Sequence, residues 1–164
     1  MSKIECSIVI EVGQYTNDFI EDLESMSISL ASCSQEVFIL TRSEDKLYEI
    51  PASTIEIIHQ NNKYIVKHKG RLQKRDGAIQ ARSICISIAV DRPVSFFLAC
   101  GYEINEQKKR DVTLGTSDTI SLCWYEDQGL YVEASIVCQQ SEVDDAIEKL
   151  KDLDKDIKKL LVID

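Results

Sequence analysis

Between Ile4 and Val12 the chain alternates at every step. Ile4, Cys6, Ile8, Ile10 and Val12 fall on one side of an extended backbone, and Glu5, Ser7, Val9 and Glu11 on the other. A period of two marks a β-strand with one buried face. The same rhythm recurs along the sequence, so the expected frame is antiparallel sheet. Its clearest instance is Thr54–Gln60 and Lys63–His68, joined by Asn61-Asn62. Asparagine tolerates the positive φ that a two-residue type I′ hairpin turn requires. That turn sets a register with Gln60 opposite Lys63, His59 opposite Tyr64, Ile58 opposite Ile65, Glu56 opposite Lys67 and Ile55 opposite His68.

Further hairpins are predicted on the same grounds. Val37–Arg42 and Lys46–Ile50 flank Ser43-Glu44-Asp45. Arg82–Val90 and Val94–Tyr102 flank Asp91-Arg92-Pro93. Thr119–Glu126 and Leu130–Cys138 flank Asp127-Gln128-Gly129. Met26, Ile28 and Leu30 alternate with serines and also read as strand. Polar Asn105–Ser117 reads as a connector, and Arg71–Gly77 as a mobile loop.

Two segments break the rhythm. Asn17-Asp18 can start a short helix carrying Phe19, Ile20 and Leu23. From about Glu142 to Leu161, Val143, Ala146, Leu150, Leu153, Ile157 and Leu160 recur at spacings of three and four, the stripe of an amphipathic helix. Ser141 and Asp144 suggest its capping box, and Asp145–Lys149 and Asp154–Lys158 are spaced for ion pairing. The stripe has to cover apolar surface, and the chain's own sheet is the expected cover. The fold reading is α+β over one domain, residues 1–164. An antiparallel meander or sandwich of about eight to ten strands fills 1–140, with the C-terminal helix (141–162) on one face.

Known chemistries leave little trace. His59 and His68 share one face of their hairpin but stand at opposite ends, too far apart for one metal ion. Asp152-x-Asp154-x-Asp156 lacks the glycine and final glutamate of a calcium loop. Gly70 to Gly77 lacks the Gly-Lys-Ser/Thr ending of a phosphate-binding loop, and no Gly-x-Ser-x-Gly elbow occurs. Neither a metal nor a cofactor is expected. Cys6, Cys33, Cys85, Cys100, Cys123 and Cys138 form no CxxC pair and read as buried, reduced thiols. No apolar run has the length of a membrane span and no signal pattern opens the chain, so the expected compartment is the cytoplasm.

Charge is the strongest remaining signal. Lys63 to Arg110 holds eleven basic and four acidic residues, inside a chain whose net charge is −9. Segregated charge creates fields that steer association. The expected site is a basic surface patch of Lys67, Lys69, Arg71, Lys74, Arg75, Lys108, Lys109 and Arg110 on an acidic body. The function this suggests is a non-enzymatic adaptor, chaperone, immunity protein or inhibitor. Its partner would be another protein, or a second copy of the chain as a homodimer. Nucleic acid fits less well because the net charge repels phosphate, and an acidic nucleic-acid mimic is undercut by the positive middle. The alternative is a helix-grip-like pocket protein for a small apolar or anionic ligand.

Overall fold

The structure, a computed structural model, describes residues 3–42, 53–89 and 91–161. Along the chain the elements are β1 (Lys3–Gly13), α1 (Asn17–Met26), β2 (Leu30–Arg42), β3 (Ser53–Gln60), β4 (Lys63–Gly70), β5 (Gln73–Lys74), β6 (Gln80–Ala89), α2 (Pro93–Ala99), β7 (Tyr102–Ser117), β8 (Ile120–Glu126), β9 (Leu130–Cys138) and α3 (Val143–Leu160). The β3–β4 hairpin has the register that its turn dictates, from Ser53 opposite Gly70 to Gln60 opposite Lys63. Asn61 and Asn62 take φ values of 51° and 60°.

The sheet is antiparallel throughout and closes on itself. Strands run β1-β9-β8-β7-β2-β3-β4-β6, and β6 returns to β1. The expected open meander or sandwich is therefore corrected to an eight-stranded barrel, with β5 as a two-residue addition beside β6. Closure depends on a stagger. Residues 80–84 of β6 pair with β1, whereas residues 84–89 pair with β4. Such a shear is what lets a sheet close. It joins strands far apart in sequence, so no local pattern announces it.

Apolar side chains on the outside of the wall form two cores. In the larger, Val143, Ala146, Leu150, Leu153 and Ile157 of α3 and Phe19 and Leu23 of α1 pack on Cys6, Ile8 and Ile10 of β1. Leu122 and Trp124 of β8 and Val132, Ala134 and Ile136 of β9 complete it. The C-terminal helix thus covers its own sheet. In the smaller core Phe38, Leu40, Ile55, Ile57 and Val66 lie beneath Val94 and Phe97 of α2. Phe97 meets Tyr102 edge-on at 5.4 Å and His68 at 5.6 Å.

Several expectations are corrected. Val94–Tyr102 is not a strand: Pro93 sits in the first turn of α2, where its fixed φ suits a helix start. Asn105–Ser117 is not a connector but most of β7, a strand of 16 residues. Met26 ends α1, and strand begins only at Leu30. A 3-10 turn at Gln140–Glu142 precedes α3, and its capping box uses Gln139 and Glu142 in place of Ser141 and Asp144. Lys158 pairs with Asp154 at 3.0 Å as expected, but Lys149 meets Asp118 at 3.8 Å, not Asp145. Cys6 and Cys138 are buried, Cys33 and Cys123 half-buried, and Cys85 and Cys100 exposed; all six are free. Lys46–Ile50 lies outside the described residues. Among those described, no helix is long and apolar enough to cross a membrane.

Candidate functional site: a charged barrel lumen

When the apolar half of each alternating strand faces outward under a helix, the polar half must face the barrel axis. The axis is a cavity of about 350 Å3. Lys67 and Lys69 of β4, Arg82 of β6, and Lys108 and Arg110 of β7 line it, with Glu5 of β1, Glu56 of β3 and Glu133 of β9. Five cations thus face three carboxylates, so the lumen is formally positive inside an acidic protein.

The charges form two clusters. In the first, Glu56 holds two lysines: its Oε2 is 3.3 Å from Lys69 Nζ and its Oε1 is 3.8 Å from Lys67 Nζ. Lys69 also stands 4.0 Å from Glu5 Oε1. Burial alone would push the Glu56 carboxyl up, but Lys69 and Lys67 outweigh it and hold it below the usual glutamate range. Arg82 faces Glu5 across the β1–β6 ladder. Burial pulls its guanidinium below the usual arginine range, and Glu5 and Glu56 offset this only in part. Arg82 Nε is buried, with no hydrogen-bond partner among the described residues.

The second cluster is linked by hydrogen bonds and a ring contact. Arg110 Nε donates to Gln35 Oε1 at 3.1 Å, and Gln35 Nε2 donates to Gln60 Oε1 at 2.7 Å. The Arg110 guanidinium lies 4.6 Å from the centre of the Tyr125 ring and 3.9 Å from Glu133 Oε1. Tyr125 in turn donates its hydroxyl to Glu133 at 2.8 Å. Burial, and then Glu133, push that phenol above the ordinary tyrosine range. Burial also raises the nearby Cys123 thiol to about 11, so it stays protonated at neutral pH and is a poor nucleophile.

Gln35 and Arg110 also border a second, more open cavity of about 1150 Å3. Its walls carry Tyr15, Ile20, His59, Trp124 and Tyr125, with the amides of Gln60, Asn61 and Asn62 at the hairpin tip. His59 stacks on Tyr64 at 4.2 Å. Among the described residues no three histidine, cysteine or acidic side chains converge in a way that could hold a metal ion.

The structure divides the basic residues picked out by sequence. Lys67, Lys69, Lys108 and Arg110 line the lumen. Arg71, Lys74 and Arg75 are exposed, next to β5. Lys109 points away from the lumen, with 84% of its side chain exposed and Glu36 at 3.8 Å. Sequence reasoning left Arg82 out of the site and did not select the three carboxylates or Gln35. One signal was available: charged residues of one parity, Glu56 with Lys67 and Lys69, inside strands whose other parity is apolar.

No family model and no curated protein sequence matches the chain. Solved structures do share its fold. A Vibrio parahaemolyticus protein provisionally assigned as an adenylate cyclase superposes with a TM-score of 0.70 at 10% identity, over 96% of this chain and 90% of that one. A Hippeastrum protein, provisionally assigned as an adenylyl cyclase and described by a dominant triphosphatase activity, gives 0.59 at 10% identity, over 95% and 88%. A chain of the Schizosaccharomyces pombe Mediator head module gives 0.69 at 10% identity, over 97% and 96%. These likenesses are of fold, and a fold alone does not carry a chemistry. Together with the inward-facing charges, they overturn the adaptor reading. Half of the supposed surface patch is the wall of an internal cavity, in a barrel whose fold is shared with the proteins provisionally assigned as adenylate cyclases.

Proposed function

We propose that the barrel binds a nucleoside triphosphate or a closely similar triphosphate-bearing molecule. Its phosphate chain would lie in the lumen against Lys67, Lys69, Arg82, Lys108 and Arg110. The observation that carries this reading is the excess of cations over carboxylates lining one partly enclosed cavity, within a chain of net charge −9. Ammonium and guanidinium groups in such a low-dielectric setting bind phosphate oxygens more strongly than they do on a surface. Arg82 supports the reading further, because this residue lines the cavity and its Nε is a buried donor with no hydrogen-bond partner among the described residues. The larger cavity starts where Arg110 ends the lumen, so a ligand anchored there by phosphate would place its remaining atoms against Tyr15 and His59. The cyclase and triphosphatase assignments of the two fold neighbours point the same way.

Among the described residues the carboxylates do not form a three-ligand metal cradle. The reading therefore rests on direct contacts between these side chains and phosphate.

The test is calorimetric titration with ATP and with inorganic tripolyphosphate, at 50 mM and at 200 mM salt. Saturable binding is expected, weakening with salt and falling at least tenfold in an Arg82→Met, Lys108→Met double variant. If neither ligand binds the wild-type protein, the reading fails.

A further inference from the structure

Resting on the reading of the lumen as a phosphate site, we infer that Glu56 is a tethered competitor for that site. Its carboxylate occupies the ammonium groups of Lys67 and Lys69 until an incoming phosphate displaces it. The geometry separates this pair from the other lumen cations. Arg110 is fixed by Gln35 and by the Tyr125 ring, so its position does not depend on its contact with Glu133. Arg82 has no carboxylate within ion-pair distance among the described residues, and it keeps a spare buried donor. Lys108 pairs with Glu106 at 3.4 Å, an exposed carboxylate that does not line the cavity; Lys67 and Lys69 differ from all three. Among the described residues their ion-pair partners are Glu56 at 3.8 and 3.3 Å and, for Lys69, Glu5 at 4.0 Å. Lysine tips swing on four-carbon stems, so these two can change partners without moving the barrel wall.

Glu56 is well placed for this role. It stands opposite Lys67 in the β3–β4 register, its side chain is 17% exposed, and it lines the same cavity as all five cations. A phosphate that reaches Lys69 must come within a few ångströms of a second negative charge. Like charges at that range repel more strongly in a partly buried cavity than on an open surface. The lumen would therefore hold its phosphate ligand more weakly than its cations allow, and Glu56 would set the difference. Glu133 has no such role, since its second partner is the Tyr125 hydroxyl and its cation is held independently.

The experiment compares tripolyphosphate binding to the wild-type protein and to Glu56→Gln, by titration calorimetry in EDTA at 50 mM salt. Glutamine keeps the shape and an acceptor for the lysines but removes the charge. At least tenfold tighter binding is expected, with a steeper loss of affinity as salt is raised. Glu106→Gln is the control, because this carboxylate pairs with Lys108 at 3.4 Å but is 55% exposed. It should change affinity less than threefold. Unchanged or weaker binding by Glu56→Gln overturns the inference while leaving the phosphate site standing. Absence of binding by both proteins overturns both. Should Glu56→Gln not fold, Glu56→Asp, which draws the carboxylate back from Lys69, takes its place; it should bind at least threefold tighter, and no gain overturns the inference.

Discussion

The two faces of β4 obey opposite rules. Tyr64 and Val66 point out of the barrel into a dry core closed by α2, while Lys67 and Lys69 point inward to a cavity shared with Glu56 and Arg82. On the outer face, burial contributes stability: each apolar side chain leaves water at no electrostatic cost. On the inner face, burial costs stability unless every charge finds a partner, and Arg82 has not found all of its partners. The barrel is thus held together from outside by its helices. Its centre is left for charges that a stability criterion alone would not select. A strained or under-satisfied group kept in an otherwise consistent fold points to function.

The comparison breaks if the helices are not what holds the wall. Leu150 is fully buried between α3 and the barrel. Leu150→Ala should cost about 2–5 kcal/mol, the usual loss for a large-to-small change in a core. Chemical denaturation measures it, and phosphate affinity in the folded fraction should stay within twofold of wild type. A cost below about 1 kcal/mol would mean that α3 is not a structural clamp.

Next in size is the effect of stranding a lumen charge. Changing both Lys67 and Lys69 to Met leaves Glu56 with no cation within ion-pair distance. Removing one side of a buried pair typically costs about 3–5 kcal/mol. These side chains keep between 14% and 23% exposure, so water screens part of that. A loss of about 1–3 kcal/mol is expected. Restoring balance with a third change, Glu56→Leu, should recover most of it. If the triple variant stays as unstable as the double, the lysines contribute packing and not charge.

Arg82 gives a smaller effect that sharpens the contrast, because its sign should differ. Arg82→Met removes a desolvated guanidinium with an unsatisfied Nε and keeps an unbranched stem. Stability should be unchanged or rise by up to about 1 kcal/mol, while phosphate affinity falls. A clear loss of stability would show that Glu5 and Glu56 depend on Arg82 more than the geometry indicates.

The outer face was legible in the sequence and the inner face was not. The two-residue Asn61-Asn62 turn dictated the whole β3–β4 register, and the stripe of α3 announced what it would bury. Misreadings fell where one pattern serves two structures. Val94, Phe96, Leu98 and Cys100 alternate like a strand. In α2 it is Val94 and Phe97, three apart, that pack, while Phe96 and Leu98 are 62% and 43% exposed. The first half of β7 failed differently. Lys108 and Arg110 face the lumen, and Glu103, Glu106, Gln107 and Lys109 are exposed, so no apolar parity marks the strand. The basic run was visible as composition, but only barrel closure through β6 decides that half of it faces inward.

The smallest expected effect is a pH dependence, and it tests whether Glu56 is ionised as the geometry requires. Its carboxyl is held below the unperturbed value of 4.5 by Lys69 and Lys67, against the opposing pull of burial. A carboxyl depressed by folding stabilises the native state above its unfolded pKa, and loses that contribution as pH falls through the folded one. The contribution is therefore complete at neutral pH and declines only below about pH 4.5. In Glu56→Gln that part of the acid-side decline should be missing, so the difference in stability between wild type and variant should narrow steadily from pH 5 downward. Thermal melts at half-unit intervals would show it. A difference that is constant across the range would mean that Glu56 is protonated at both ends. In that case Lys67 and Lys69 would already be free, and the contrast between a paired cluster at β4 and a fixed one at Arg110 would disappear.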